Sequence, residues 1–165
     1  MFHEKIKSLF SSAVHSVSAV ISNFTAKPGS DLTRDRKLPV EKLITFLVSQ
    51  GASSSKNELL DFFDMDPQAP TAFALNQQRA KLKPEAMEMV FQQFNSFTYS
   101  LDEAPSDYRF IAADGSTFTF FSKPCFSLSE YYVSEGHSAK GFYSMHLNAF
   151  YDLQMHTYTD ALIQP

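Results

Sequence analysis

Cysteine is all but missing from this sequence: Cys125 stands alone among 165 residues. One thiol excludes an internal disulfide and any cysteine-built zinc cluster, and a reducing, cytoplasmic setting is the simpler expectation. An excess of positive charge is missing as well. Fourteen Lys and Arg stand against eighteen Asp and Glu, giving a formal net charge of −4 and a pI of about 5.7. The chain as a whole is therefore not a basic nucleic-acid adhesive, and any DNA contact must come from a local patch. Long apolar runs are also lacking: no stretch approaches the roughly 20 residues that span a bilayer. The opening segment MFHEKIKSLFSSAVHSVSAVISNF does not read as a signal peptide, because Ser and His interrupt its apolar centre.

What is present divides by periodicity. In that opening segment Phe2, Ile6, Leu9, Phe10, Ala13, Val14, Val17, Val20, Ile21 and Phe24 recur at three-to-four spacing, which predicts an amphipathic helix. Its polar face carries Ser rather than Lys or Arg, so docking on the protein body is favoured over a membrane surface. TAKPGSDLTRDRKLP then reads as a linker. Arg34, Arg36, Lys37 and Lys42 lie toward its end, partly offset by Asp31, Asp35 and Glu41. Short helices follow: one opened by Pro39 with Leu43, Ile44, Leu47 and Val48 as its stripe and Gly51 as its stop, and one opened by the capping-box spacing of Ser55 and Glu58. A third is capped by Thr71, and a fourth is opened by Pro84 with Met87, Val90, Phe91 and Phe94 on one face.

The helix from Thr71 to Lys83 carries Asn76, Gln77, Gln78, Arg79, Lys81 and Lys83 beside Phe73, Leu75 and Leu82, the apolar three expected to be buried. Asn, Gln and Arg are the side chains that pair bidentately with adenine and guanine edges. A short helix of this make-up after another short helix and a turn fits a helix-turn-helix reader, while the solvated face of a plain helical bundle fits as well. The basic residues of 34–42 compete with those of 79–83 for the role of DNA contact.

From about Ser106 helical spacing gives way to strand spacing in YRFIAADGSTFTFF, GFYSMHLNAFYDL and HTYTDALIQP. Helices first and strands second predict an α+β chain. We place the divisions at 1–30 for the amphipathic helix and linker, 31–104 for a helical DNA-binding domain and 105–165 for the strand region. Within FIAADGSTFTF, Asp114-Gly115 between two apolar runs is a strong hairpin signal. The other reading is a carboxylate set on a strand to hold a metal. His137, His146 and His156 are too widely spaced to suggest a histidine metal site, and Ser116 lacks both a nucleophile elbow and a local base.

Four words in order, RDRKLPVEKLITFLVSQGASSSKNELLDFF, QQRAKLKPEAM, ADGS and HLNAFYDLQMHTYTDALIQP, resemble the DDE-type transposases of bacterial insertion sequences, in the group founded on insertion sequence four. The resemblance covers roughly residues 33 to 165. It implies a helical domain that binds the ends of the element, followed by a ribonuclease-H-like catalytic domain, and an activity of Mg²⁺-dependent DNA cleavage and strand transfer. Asp114 matches the first acid of the family's Asp-Asp-Glu triad. It would be a catalytic residue and a ligand of Mg²⁺, which suits hard carboxylates in an in-line displacement at phosphorus. Arg34, Arg36, Lys37, Asn76, Gln78, Arg79, Lys81 and Lys83 are the candidate DNA contacts. The family's second Asp, followed by Arg and Gly, and its Tyr, Arg, Trp, Glu signature do not occur before Pro165. Asp152 and Asp160 match positions outside the triad, in the second and third strands, where such residues cap turns or face solvent. The expectation is a chain that binds insertion-sequence ends, pairs with a second copy or a longer transposase, and does not cut DNA alone. Its partners would be DNA and protein rather than membrane, in a bacterial cytoplasm. The alternative is a non-catalytic DNA-binding or inhibitory remnant. An open sheet edge bearing Phe118, Phe120, Phe121, Tyr143 and Phe150 is expected to favour self-association.

Overall fold

The computed structural model describes residues 2–33, 37–100, 108–120, 129–133 and 141–165. Arg34, Arg36, Phe121 and His137 lie outside the described residues. Helices followed by an antiparallel sheet make the chain α+β, and it divides into two compact units, Met1–Leu101 and Asp102–Pro165.

The helical unit holds α1 (Phe2–Ala19), α2 (Val40–Ser49), α3 (Ser55–Phe62), α4 (Ala72–Arg79) and α5 (Glu85–Tyr99). The helix expected to reach Phe24 ends at Ala19 and tightens into a 3-10 turn over Ile21–Phe24. The turn brings Thr25 beside Leu82: Ala26 N–H donates to the Lys81 carbonyl (3.0 Å) and Lys83 N–H to the Phe24 carbonyl (2.9 Å). Ala13, Val14 and Val17 of α1 pack with Ile44, Ala86 and Val90 in one apolar cluster. Leu38, Leu43, Phe46, Leu59 and Leu75 form a second. α2 therefore supplies both: Ile44 faces α1 and α5 while Leu43 and Phe46 face α3 and α4.

The helix starts follow local chemistry, with one correction. Thr71 caps α4 as expected, its hydroxyl accepting from Ala74 N–H at 3.2 Å. The cap of α3 is Ser54 rather than Ser55, accepting from Asn57 N–H at 3.3 Å. Glu58 then lies one position past the reciprocal site of a capping box. Its carboxylate instead accepts from the N–H groups of Gly51 and Ser53, both at 2.8 Å, closing the loop between α2 and α3.

The second unit is a four-stranded sheet of β1 (Ile111–Phe120), β2 (Tyr132–Val133), β3 (Phe142–Asp152) and β4 (Thr157–Gln164). β3 is central. It pairs antiparallel with all ten residues of β1 on one edge, and with β4 and the short β2 on the other. Asp114-Gly115 is consequently not a hairpin turn: Asp114 lies opposite Ala149 and Gly115 opposite Asn148, in mid-strand. Long-range pairing with β3 overrides the local turn preference. The turn falls instead at residues 153–156 between β3 and β4, and His156 there adopts φ 55°.

Alternation along the strands gives the sheet two different faces. Asp114, Ser116, Phe118, Phe120, Tyr143, Met145, Leu147, Ala149 and Ile163 share one. Gly115, Thr117, Ser144, His146, Asn148, Asp160, Leu162 and Gln164 share the other. Every residue of β1 is exposed. The ladder also has a phase: Leu153 N–H donates to the Phe110 carbonyl at 3.0 Å, so even-numbered residues of β1 bond toward β3 and odd-numbered ones aim N–H and C=O at the open edge.

Candidate nucleic-acid interface and the Asp114 region

α4 presents Asn76, Gln77 and Arg79 to solvent, and Lys83 just beyond it is also exposed. Phe73, expected to be buried, is 72% exposed. It sits one turn before Asn76 and Gln77 on the outer face, while Leu75 alone of this helix is buried. The connection from α3 to α4 runs over residues 63–71, with Asp64 and Met65 at φ 50° and 58°. That is longer than the turn of about three or four residues in a helix-turn-helix. Gln78 and Lys81 are half-buried, and the Lys81 ammonium donates to Gln78 Oε1 at 3.2 Å.

These two side chains line a cavity of about 480 Å³ with Ser30, Asp31, Thr33 and Leu38. Sequence reading did not find that wall of the cavity. Its signal was the turn at Gly29 (φ 74°), where the Asp31 carboxylate accepts from Lys27 N–H at 3.0 Å. Lys37 is exposed, whereas Lys42 lies over the Phe63 ring at 5.2 Å from its centre. The structure thus leaves Asn76, Arg79 and Lys83 exposed and turns Gln78 and Lys81 toward the cavity beside residues 29–33.

Charge is divided unevenly between the units. Residues 1–101 carry eleven Lys and Arg against ten Asp and Glu, a net of +1; residues 102–165 carry three against eight, a net of −5. A phosphate backbone is repelled by the second and not by the first.

Asp114 lies in the middle of β1, exposed, with Ala149 opposite it and Ala161 opposite Ala149. Its Oδ1 accepts from Gly115 N–H at 2.9 Å. Asp160 makes the same contact on the far edge, accepting from Ala161 N–H at 2.8 Å. Asp160 and Asp152 both occupy register positions of the opposite face. Asp152 is fully buried and closes the β3–β4 turn: Oδ1 accepts from the N–H groups of Gln154 (2.8 Å) and Met155 (3.0 Å), and Oδ2 from Arg109 Nη2 (2.8 Å) and Nε (3.2 Å). Burial alone would raise its pKa. The N–H of Met155, the Arg109 guanidinium and the N–H of Gln154 outweigh burial and lower it from 3.8 to about 2.

A two-ion Mg²⁺ centre needs several carboxylate oxygens converging on one face. Among the described residues Asp114 is the only acid on its face of β1, β3 and β4, and no group of three His, Cys, Asp or Glu side chains could hold a metal ion. The described residues do not fit such a centre. His146, on the other face, binds Thr117 Oγ1 through Nδ1 at 3.2 Å, while His156 packs near Tyr151 with ring centres 6.5 Å apart.

Comparison with protein-family models, with curated proteins and with solved structures gave no match to this chain. Among the described residues, no helix is long and apolar enough to cross a membrane.

Proposed function

We propose that this chain is a DNA-binding protein of the DDE-transposase type, whose helical unit grips the ends of a mobile element. The observation that carries this reading is the outer face of α4, where Asn76, Gln77 and Arg79 stand exposed beside an exposed Phe73, in the unit that escapes the chain's negative charge. Asn and Gln read adenine, Arg reads guanine, and an apolar ring suits the thymine methyl. Lys81 and Lys83 flank that face as phosphate contacts. The ordered resemblance over residues 33–165 supports the family. The antiparallel pairing of β1 with β3, with Asp114 in the first strand of the chain, supports a ribonuclease-H-like plan for the second unit. No cleavage step is assigned, since among the described residues Asp114 stands without a second acid on its face.

The test is an electrophoretic binding assay with the duplex that borders the gene at its source, against a scrambled duplex. The chain should prefer the bordering duplex. Arg79→Ala with Lys81→Ala should weaken binding and flatten the slope of log affinity against log salt by about 0.9 per lost phosphate contact. Asn76→Ala should instead relax sequence preference, by about 1–3 kcal/mol at one base pair. Asp114→Asn should leave binding unchanged. Equal, weak binding to both duplexes that ignores these substitutions would end the proposal.

A further inference from the structure

We propose that the open edge of β1 is a self-recognition surface on which a second copy of this chain adds its own β1, antiparallel, about a two-fold axis through Gly115. The inference is independent of the DNA reading.

The edge is long and regular. All ten residues from Ile111 to Phe120 pair with β3 without a register shift, all ten are exposed, and the strand contains no Pro, Lys or Arg. Natural edge strands normally carry such a charge, a proline or a bulge to refuse partners. β4, the other long edge, has that protection in a register shift between Phe150 and Tyr151.

The occupant follows from the spacing of groups on β1. Its odd-numbered residues aim their N–H and C=O groups outward, so a two-fold partner must place odd opposite odd. Two central registers satisfy this. With Ser116 facing Ser116, the Asp114 carboxylate would lie against the second copy's Phe118. With Gly115 facing Gly115, Asp114 lies opposite the second copy's Ser116, Ala113 opposite its Thr117 and Ala112 opposite its Phe118. The only charge on the strand then meets a hydroxyl donor, Phe118 meets the small Ala112, and the two backbones cross where neither has a Cβ.

Asp114 also sets the strength of the contact. In the single chain its Oδ1 covers Gly115 N–H, one of the outward donors. Pairing moves the carboxylate from that amide to the second copy's Ser116 hydroxyl and frees the amide for the new ladder. Association is therefore an exchange of hydrogen bonds, reversible and concentration-dependent.

Sedimentation equilibrium on the full chain tests this. The expected result is a monomer–dimer equilibrium that Ser116→Lys tightens by about 2- to 30-fold, through two symmetry-related pairs with Asp114, and that Ser116→Asp loosens by a similar factor. Ala113→Pro deletes an outward N–H without touching the bonds to β3 and should abolish the dimer, with far-UV circular dichroism confirming an intact sheet. A chain that stays monomeric to its solubility limit would overturn the proposal. So would a dimer indifferent to the sign of charge at position 116, or open-ended aggregation in place of a dimer.

Discussion

Asp152 is the one buried acid among the described residues, held by two turn amides and the Arg109 guanidinium. Its pKa is lowered from 3.8 to about 2, so the ionised form is the one the fold stabilises. That stabilisation is fully present above pH 3.8 and is lost as pH falls toward 2, amounting to about 2 kcal/mol. Urea unfolding of the sheet unit followed between pH 5 and pH 2, a window of roughly that span, should show this drop, and Asp152→Asn should remove most of the pH dependence. Arg109 is half-exposed, so Arg109→Ala should cost less, about 1 kcal/mol. Gly115 makes a different point. A Cβ there would lie 2.7 Å from His146 Nε2, the far end of a side chain that can rotate. Gly115→Ala should therefore change stability by less than about 1 kcal/mol, because the reduced freedom of the unfolded chain offsets the lost Thr117 contact. The His146 ring resonances should nevertheless shift in an NMR spectrum.

Among the elements α2 holds the central place, because its two sides belong to two different clusters. Ile44→Ala and Phe46→Ala should each lower the stability of the helical unit by about 2–5 kcal/mol, and urea unfolding should show the whole unit, rather than half of it, melting earlier. This helix was legible in the sequence from Leu43 and Ile44, although Val48 of the expected stripe is exposed and Phe46 outside it is buried; α4 was legible from Thr71 and β3 from the strand-like run GFYSMHLNAFYDL. Signals that repeat along one element survive folding. What was not legible depends on distant partners. Asp114-Gly115 has the local chemistry of a turn, and only the ten-residue ladder with β3 keeps it extended. Phe73 has the apolar character of a core residue, yet the core side of α4 is set by Leu75 and the neighbouring helices. The cap of α3 shifted by one residue because two adjacent serines offer the same hydroxyl, and Glu58 found nearer donors in Gly51 and Ser53. Of the candidate site, the identity of the polar residues on α4 was readable, but the grouping of Gln78 and Lys81 with Ser30 and Thr33 around a cavity was not.

For the molecule as a whole, the division of charge into +1 and −5 means that the proposed DNA binding would have to come from the first unit against the repulsion of the second. Lys81 and Lys83, the proposed phosphate contacts, together predict a slope of log affinity against log salt near −1.8, about 0.9 for each of two phosphates. A filter-binding titration at several salt concentrations measures it, and a far steeper slope would mean that contacts extend well beyond α4. The carboxylates on the two outer strands have a last consequence, in time rather than energy. In the dissociated chain the outward amides of β1 and β4 face away from β3, and Asp114 covers Gly115 N–H while Asp160 covers Ala161 N–H. Placed in deuterium oxide, the margins of the sheet should exchange fast except at those two amides, leaving one slow site on each. Their lifetimes would then serve as clocks for how often each aspartate lets go.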